Sequence, residues 1–230
     1  SLRGDEVMQV VSGRLDQPIV HYEAPPRIDL PKQLDDFIVW FNFTRDHKQI
    51  DPIIRAAITH LWFVTLHPFE DGNGRLTRTL TDLALTQMDT QSIRLYAMSA
   101  TILVHRSDYY LILEQTQKGG LDISLWMDWF INCFIEALEQ VQVKIKLTQE
   151  RIIFWQRHAD KQLKSEQIKV LNRLLEGGEG NFPEGISASQ YQKVAKVSKA
   201  TATRHLAELL EKKCLIKLPG GGRNTRYGIG

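Results

Sequence analysis

Residues 67–78 read HPFEDGNGRLTR and bring several chemically useful side chains into one short stretch. His67 can accept a proton near neutral pH, and Asp71 offers a hard oxygen ligand of the kind that Mg²⁺ prefers. Gly72 and Gly74 allow a ligand to approach the backbone closely. A base, a metal ligand and an open backbone loop together predict chemistry at a nucleotide phosphate.

Two helices have to position this stretch. Residues 51–66 have the pattern of an amphipathic helix, which Pro68 should end at His67. Residues 75–88 predict a second helix, whose first N–H groups would form an anion site. The faces predicted to be buried are Ile54, Ile58, Leu61 and Thr65 on the first helix and Leu76, Leu80, Leu83 and Ala84 on the second.

Arg75 and Arg78 fall on one face in the first turn of the second helix. A positive charge there is unfavourable by roughly 0.3–1 kcal/mol for each arginine, and a bound polyphosphate would make it favourable. Each residue also has an ordinary structural interpretation: Asp71 as a helix cap, His67 as a structural histidine, the glycines as a turn and the arginines as solvated. Those interpretations do not explain why all of them fall together.

The stretch resembles the signature of Fic-domain proteins, His-x-Phe-x-(Asp/Glu)-Gly-Asn-Gly-Arg-x-x-Arg, at every specified position. Most Fic proteins transfer AMP from ATP to a hydroxyl of a target protein. The resemblance implies that His67 is the general base for a Ser, Thr or Tyr hydroxyl, that Asp71 holds Mg²⁺ and that Phe69 anchors the loop in the core. The residues it implies for binding the phosphates of ATP are Gly72, Asn73, Gly74, Arg75 and Arg78.

Residues 8–25 predict a β-hairpin, with strands at 10–11 and 19–22 and turn formers at 12–18. One interpretation is a hairpin at the edge of the fold that has no function. In Fic proteins such a hairpin is the flap that docks the target segment, since edge backbone can pair with an extended chain. The residues that the resemblance places nearest the nucleotide are Val10, Val11, Ser12 and Gly13.

Residues 99–116 predict a helix that carries Tyr109 and Tyr110. Adjacent helical residues point about 100° apart, so only one tyrosine need face the core. The resemblance implies that the pair lies beside the nucleotide base and that Gln117 is near the nucleotide; a solvated helix end is the alternative for Gln117. Two further helices are predicted, at 31–43 with Leu34, Phe37, Ile38 and Phe41 buried, and at 122–158 with an apolar face of Trp126, Trp129, Phe130, Phe134, Leu138 and Val141.

The composition of the 230 residues, 43% hydrophobic and 24% charged, is that of a soluble globular protein. No apolar run approaches the ~20 residues of a membrane helix, and no signal peptide opens the chain, so we expect a cytoplasmic protein without a membrane partner. Cys133 and Cys214 fit buried thiols in a reducing compartment. No histidine has cysteine partners at zinc-ligand spacing.

The chain does not begin with Met, which is typical of a fragment. Many Fic proteins carry an inhibitory helix with the motif Ser/Thr-x-x-x-Glu-Gly/Asn, and residues 1–230 contain no such motif. We therefore expect this helix upstream in a longer parent, and expect the fragment to be less inhibited than that parent.

Charge separates two modules. Residues 1–159 hold 16 Lys and Arg against 20 Asp and Glu, a net −4, whereas residues 160–230 hold 13 against 7, a net +6. The second module shows helices at 165–176, 187–194 and 198–213, with Ser198 as an N-cap, and a hairpin at 214–218 and 225–229. Three helices and a two-stranded wing resemble a winged helix.

In winged-helix proteins the third helix enters the major groove and the wing contacts phosphate, and the positive charge agrees with DNA as a partner through residues 198–229. A protein-interaction or dimerisation winged helix is the alternative. The predicted DNA contacts are Lys199, Thr201, Thr203 and Arg204 on the third helix and Arg223 and Arg226 on the wing.

The sequence thus predicts a mainly α protein: a Fic-type helical bundle with a β-hairpin flap in residues 1–158, followed by a winged helix-turn-helix domain in residues 160–230. The first function hypothesis is AMP transfer from Mg²⁺-bound ATP to a hydroxyl of a target protein or of the chain itself. The second is a DNA-binding regulator whose Fic domain senses nucleotide or modifies its own chain. A relative that transfers phosphate or another nucleotide is a third, and the target and a homodimer both stay open.

Overall fold

A computed structural model describes residues 2–14, 17–46, 50–87, 98–176, 182–220, 222 and 225–230; of Val11–Arg14, Gln17–Ile19 and Asp46 it describes the backbone only. The chain divides into two compact units, Ser1–Val141 and Gln142–Gly230. This division falls before the boundary near residue 160 that the charge pattern predicts. Each unit encloses its own cluster of buried apolar side chains.

Where the structure describes it, the first unit is mainly helical and contains one strand pair, as the sequence predicts. Its elements are β1 (Gln9–Arg14), β2 (Gln17–Glu23), α1 (Leu30–Asp46), α2 (Pro52–Leu66), α3 (Asn73–Thr86), α4 (Met98–Val104), α5 (Arg106–Lys118) and α6 (Ser124–Arg157), whose last part belongs to the second unit. The core of the unit lies between α1, α2, α3, α5 and α6, where the Trp126 indole N–H donates to the Ala57 carbonyl at 2.9 Å.

The hairpin is longer than the sequence predicts. β1 and β2 pair antiparallel from Gln9 opposite Glu23 to Arg14 opposite Gln17, with an irregularity between Val10 and Val11. The turn formers at 12–14 and 17–18 therefore extend the ladder. Backbone pairing does not depend on side-chain propensity, and Pro18 is tolerated because this small sheet has edges on both sides.

Helix α2 begins and ends where the sequence predicts. Asp51 is its N-cap and accepts the N–H groups of Ile53 and Ile54, and Pro52 occupies the first turn. The helix ends at Leu66, and His67 takes the left-handed conformation at φ 45°. The predicted stripe is wrong in detail, since of its members only Leu61 is buried. The buried residues are Arg55, Ala56, Ala57, Thr59, His60, Leu61, Phe63 and Leu66, because α2 packs against α1 on one side and α3 on the other.

Helix α3 also turns a different face to the core. Leu76 and Leu83 are 40% and 43% exposed, whereas Thr77 and Thr81 are buried. Each of these threonines donates its hydroxyl to the carbonyl four residues earlier, at 2.8 Å, so it is satisfied inside the helix. Small side chains at these positions let α3 approach α2 closely.

Three smaller differences concern α1, α4–α5 and α6. Ile38 and Leu138, predicted to be buried, are 45% and 37% exposed. The single helix predicted at 99–116 is broken at His105 into α4 and α5. The segment before it, residues 88–97, lies outside the described part of the chain.

The second unit contains the three predicted helices, with ends that differ from the prediction by at most two residues. Its elements are α7 (Ser165–Leu175), β3 (Ile186–Ser187), α8 (Ala188–Ala195), α9 (Lys199–Glu211), β4 (Leu215–Lys217) and β5 (Arg226–Ile229). The hydroxyls of Ser187 and Ser198 cap α8 and α9. β4 and β5 pair antiparallel, and β3 adds to β5 in the order β3-β5-β4. β3 is too short to leave a sequence pattern. No helix of the described segments is both long and apolar enough to cross a bilayer.

Candidate active site

The loop between α2 and α3 is braced by its own side chains. The Asn73 amide oxygen accepts the Phe69 N–H at 2.9 Å, and the Asn73 amide nitrogen donates to the Phe69 carbonyl at 2.6 Å. Gly72 is the N-cap of α3 at φ 84°, a conformation that costs other residues about 1–2 kcal/mol. Phe69 packs partly buried against the core, as the resemblance implies. These contacts fix the backbone from His67 to the first turn of α3.

His67 lies at the end of α2 with its ring half-buried. Burial lowers the pKa of its imidazole, the backbone carbonyl of Val64 opposes that shift, and the charge of Arg3 adds to it. The Nδ1 atom is buried and has no hydrogen-bond partner of good geometry in the described part of the chain. The Arg3 guanidinium donates to the His67 carbonyl at 3.1 Å and also binds the Pro25 carbonyl. The ring is therefore held as an uncharged base at neutral pH.

A cavity of about 170 Å³, partly open to solvent, lies beside this ring. The hairpin, the end of α2, the start of α3 and one face of α5 contribute its walls. The lining residues are Val10, His21, Tyr22, Val64, His67, Gly74, Arg78, Tyr109, Tyr110, Leu113, Glu114 and Gln117.

The structure brings most of the predicted nucleotide residues to this cavity. The tyrosines divide as the 100° argument predicts: Tyr109 is buried, and Tyr110 is 46% exposed. Gln117 donates its amide to the Thr65 hydroxyl at 3.0 Å, so it is an ordered part of the wall. Arg78 reaches back over the loop, since a Cβ on Gly74 would lie 3.5 Å from its Nη1.

Other residues of the predicted site lie next to the cavity and not in its wall. Arg75 is exposed and forms an ion pair with Asp71 at 3.2 Å. Asn73 is 3% exposed and uses its amide within the loop, so it can offer a phosphate only its backbone. Of the predicted flap residues, Val10 lines the cavity, whereas Val11, Ser12 and Gly13 are described only as backbone of β1.

Five wall residues were not predicted: His21, Tyr22, Val64, Leu113 and Glu114. His21 Nδ1 lies 2.6 Å from Glu114 Oε2, and Lys118 Nζ lies 2.6 Å from the other carboxylate oxygen. Leu113 and Glu114 follow Tyr109 and Tyr110 by four residues on α5, so helical spacing from the tyrosines would have found them. His21 and Tyr22 come from β2 and left no comparable signal.

The protein side chains at this site suit Mg²⁺ only when a bound nucleotide supplies further oxygen ligands. Among the described residues, no three His, Cys, Asp or Glu side chains form a group that could hold a metal ion. The Asp71 side chain is 93% exposed, and one of its oxygens accepts the Gly72 N–H at 2.6 Å. A single carboxylate suits Mg²⁺ when phosphate oxygens and water complete the shell.

The residues of the second unit that are predicted to contact DNA differ in their exposure and in the contacts they already make. Lys199, Thr203 and Arg204 are exposed on α9, where the Thr203 hydroxyl donates to the Lys199 carbonyl at 3.1 Å and Arg204 lies 3.8 Å from Glu208. Arg226 instead donates to the Gly185 carbonyl at 3.0 Å and lies 3.8 Å from Glu184, so it ties β5 to the chain before β3. Thr201 is bonded to the N-cap Ser198, and Arg223 lies outside the described residues.

Comparison with known proteins agrees with the resemblance of the loop between α2 and α3 to the Fic signature. Residues 4–85 match the Fic/DOC family. Protein adenylyltransferase fic-1 of Caenorhabditis elegans is 37% identical over 90 residues, which are 39% of this chain and 16% of that protein. Protein adenylyltransferase Fic of Nematostella vectensis is 33% identical over 109 residues, 47% of this chain and 24% of that protein. A crystal structure of a Fic family protein from Desulfovibrio desulfuricans G20 aligns over 96% of this chain and 60% of its own, with 20% identity and a TM-score of 0.48.

The chain spans at most about a quarter of the length of these two curated relatives. The matched segment contains the hairpin, α1, α2 and nearly all of α3, and with them the complete loop from His67 to Arg78. Residues 4–85, which include this loop, are therefore similar to the Fic/DOC family.

Proposed function

We propose that this protein is a protein adenylyltransferase, which moves AMP from Mg²⁺-bound ATP to a Ser, Thr or Tyr hydroxyl of a target protein or of its own chain. The observation that carries the proposal is one cavity whose wall joins His67, Gly74 and Arg78 to a pair of tyrosines. The names of the curated relatives support AMP as the transferred group.

The two ends of the cavity suit the two ends of ATP. The phosphates belong at the first turn of α3, where backbone N–H groups and Arg78 attract anions. Arg75 would leave its exposed pair with Asp71 to reach them, since such a pair contributes little stability. The base belongs against the exposed ring of Tyr110, with Val10 of β1 on the same wall.

His67 has the properties of the general base. The imidazole takes the proton of the target hydroxyl, the hydroxyl oxygen forms a bond to the α-phosphorus, and the bond between that phosphorus and pyrophosphate breaks. Pyrophosphate leaves with the electron pair of that bond, and the proton stays on the ring until solvent removes it. The lowered pKa keeps the ring ready to accept the proton at neutral pH.

Asp71 would hold Mg²⁺ together with the ATP phosphates, and the ion would supply charge that favours departure of pyrophosphate. The hairpin would hold the target segment. β1 and β2 form a sheet by themselves within the described residues, so an extended peptide can add to an edge of this sheet.

The test is incubation of the protein with α-³²P-ATP and Mg²⁺, alone and with a cell lysate. We expect labelled protein from the wild type and none from His67→Ala, with a mass gain equal to one AMP. His105→Ala is the matched control. His105 Nε2 lies 2.6 Å from Glu136, and neither residue lines the cavity, so this variant should label like the wild type. A phosphate-sized mass, or equal labelling by His67→Ala, would contradict the proposal.

The exposed cations of α9 favour a second candidate, DNA binding by the second unit as a winged helix. Lys199 and Arg204 stand on a helix whose N-terminus Ser198 caps. The double variant Lys199→Gln/Arg204→Gln should weaken binding to duplex DNA and reduce the salt slope by about two. His67→Ala should bind DNA as the wild type does. Binding that is independent of salt would exclude this candidate.

A further inference from the structure

His60 is a completely buried histidine that joins three helices behind the cavity. It lies on α2; its Nδ1 is 2.9 Å from the Thr81 hydroxyl of α3, and its Nε2 is 3.1 Å from the Tyr109 hydroxyl of α5. The Trp126 and Phe130 rings lie against the imidazole, with centroids at 5.2 and 6.1 Å. The mechanism above assigns this histidine no role.

The helix fixes the direction of each hydrogen bond. The Thr81 hydroxyl has one proton, which it donates to the Thr77 carbonyl at 2.8 Å. Toward His60 the same oxygen can only accept, so His60 Nδ1 carries a proton and donates it. Burial lowers the pKa of His60 to about 3, so the ring is neutral at pH 7 and its Nε2 has no proton.

The unprotonated Nε2 determines the state of Tyr109. It can only accept, so the Tyr109 hydroxyl donates its proton to His60. Burial raises the pKa of Tyr109, and this proton therefore stays on the oxygen at neutral pH. The lone pairs of the oxygen are left facing away from His60.

Arg78 shares the cavity wall with Tyr109. Its positive charge lowers the pKa of both His60 and Tyr109.

We propose that His60 is a positioning residue for nucleotide binding: by accepting the proton of the Tyr109 hydroxyl it holds the Tyr109 ring in the cavity wall beside Arg78. The inference rests on the proposed function for the identity of the ligand. The orientation of the Tyr109 hydroxyl is a property of the protein without ligand.

The first test is independent of activity. Long-range ¹H–¹⁵N NMR at pH 7 distinguishes the two neutral histidine tautomers, and His60→Gln assigns the signal. We expect the tautomer with the proton on Nδ1. A proton on Nε2, or a charged ring, would overturn the proposal even if AMP transfer is confirmed.

The second test measures ATP binding by calorimetry, which also requires no transfer. His60→Gln keeps an acceptor for Tyr109, whereas His60→Leu fills the site without one. We expect His60→Leu to weaken ATP binding about tenfold, the loss typical of one hydrogen bond, and His60→Gln to weaken it much less. In a Tyr109→Phe background the two His60 variants should bind ATP equally, because there is no hydroxyl left to orient.

Melting temperatures of all variants serve as the control for folding. If His60→Leu bound ATP like the wild type, or if the Gln and Leu variants were equally weak, His60 would be only a packing residue. A wild-type protein that labels no substrate but shows the expected tautomer and the expected difference in ATP affinity would refute the transfer reaction and keep the positioning role.

Discussion

The two glycines at the start of α3 differ in what a methyl group would meet. Gly72 has φ 84°, so Gly72→Ala should destabilise the protein by about 1–2 kcal/mol. Gly74 has no positive φ, and a Cβ there would meet only the flexible end of Arg78 at 3.5 Å. Gly74→Ala should therefore fold as well as the wild type and lose ATP affinity, because the methyl group occupies the space of a phosphate.

Thermal unfolding and ATP calorimetry of these two variants separate a structural glycine from a ligand-binding one. Gly74→Ala with normal melting and normal ATP affinity would remove the first turn of α3 as the phosphate site.

The pH dependence of labelling follows from His67. Burial lowers the pKa of its ring below the ordinary 6.5, and a base acts only when unprotonated. The acidic limb of kcat/KM should therefore have its midpoint below pH 6.5, and His105→Ala should show the same profile. The same shift affects stability: as the pH falls below 6.5 the unfolded chain takes up the proton first, so stability decreases. A midpoint at or above pH 6.5 would mean that the ring is not buried in the working enzyme.

The sequence indicates the candidate site residues more readily than it describes their surroundings. The spacing of His67, Gly74 and Arg78 indicates an anion site before any coordinates are known, because it depends on local helix and turn geometry. The side-chain role of Asn73 as a brace of the loop, and the arrival of His21 from β2, depend on contacts between distant parts of the chain. Local pattern contains no information about them.

Among the helices, Arg55 holds α1, α2 and α3 together. Its buried guanidinium donates to the Phe41 carbonyl at 2.8 Å, the Thr44 hydroxyl at 2.9 Å and the Gln87 side chain at 2.9 Å, and lies 4.5 Å from the centre of the Phe41 ring. Arg55→Met would leave the Phe41 carbonyl and the Thr44 hydroxyl, both buried, without this donor. We expect a loss of about 3 kcal/mol in the free energy of unfolding.

Urea unfolding followed by circular dichroism measures this loss. Lys32→Met is the matched control, since the Lys32 side chain is 83% exposed and pairs with Asp36 on the same helix face. The control should unfold like the wild type. Equal stability of Arg55→Met would show that the three helices are held by apolar packing alone.

The helices themselves were predictable, and their inward faces were less so. α2 and the helices of the second unit follow from proline and serine caps, which act within a few residues. The predicted stripes assumed that the largest apolar side chains face inward. In α3 the close approach to α2 favours Thr77 and Thr81 instead, and α2 itself is covered on two sides. Periodicity identifies a helix but does not show how many neighbours the helix has.

For the molecule as a whole, the sequence predicts two modules. The boundary between the two compact units depends on contacts between residues, which the amino-acid composition does not report. The charge change near residue 160 marks where basic residues begin. The compact units meet at Val141 and Gln142, inside α6, because the end of α6 contributes Phe154 to the second core. A charge pattern describes surfaces, whereas a unit is defined by its core.

Each unit contains one cysteine, which allows the two to be followed separately. Cys133 lies in the first core and Cys214 in the second; both are free and buried, and burial raises the pKa of Cys133 to about 11 and that of Cys214 above its ordinary value. Neither thiol should react with Ellman's reagent in the folded protein, because the thiolate is the reactive form.

Single-cysteine variants then test where ATP binds. Mg²⁺-ATP stabilises the unit that binds it, by RT ln(1 + [L]/Kd). In moderate urea it should slow the reaction of Cys133 in the Cys214→Ser variant by about 100-fold at 100 Kd, and leave Cys214 unprotected in the Cys133→Ser variant. Introducing His67→Ala should preserve the protection of Cys133, since this variant removes the base and keeps the binding site. Equal protection of both thiols would mean that nucleotide stabilises the whole chain, and protection of Cys214 alone would place the nucleotide site in the second unit.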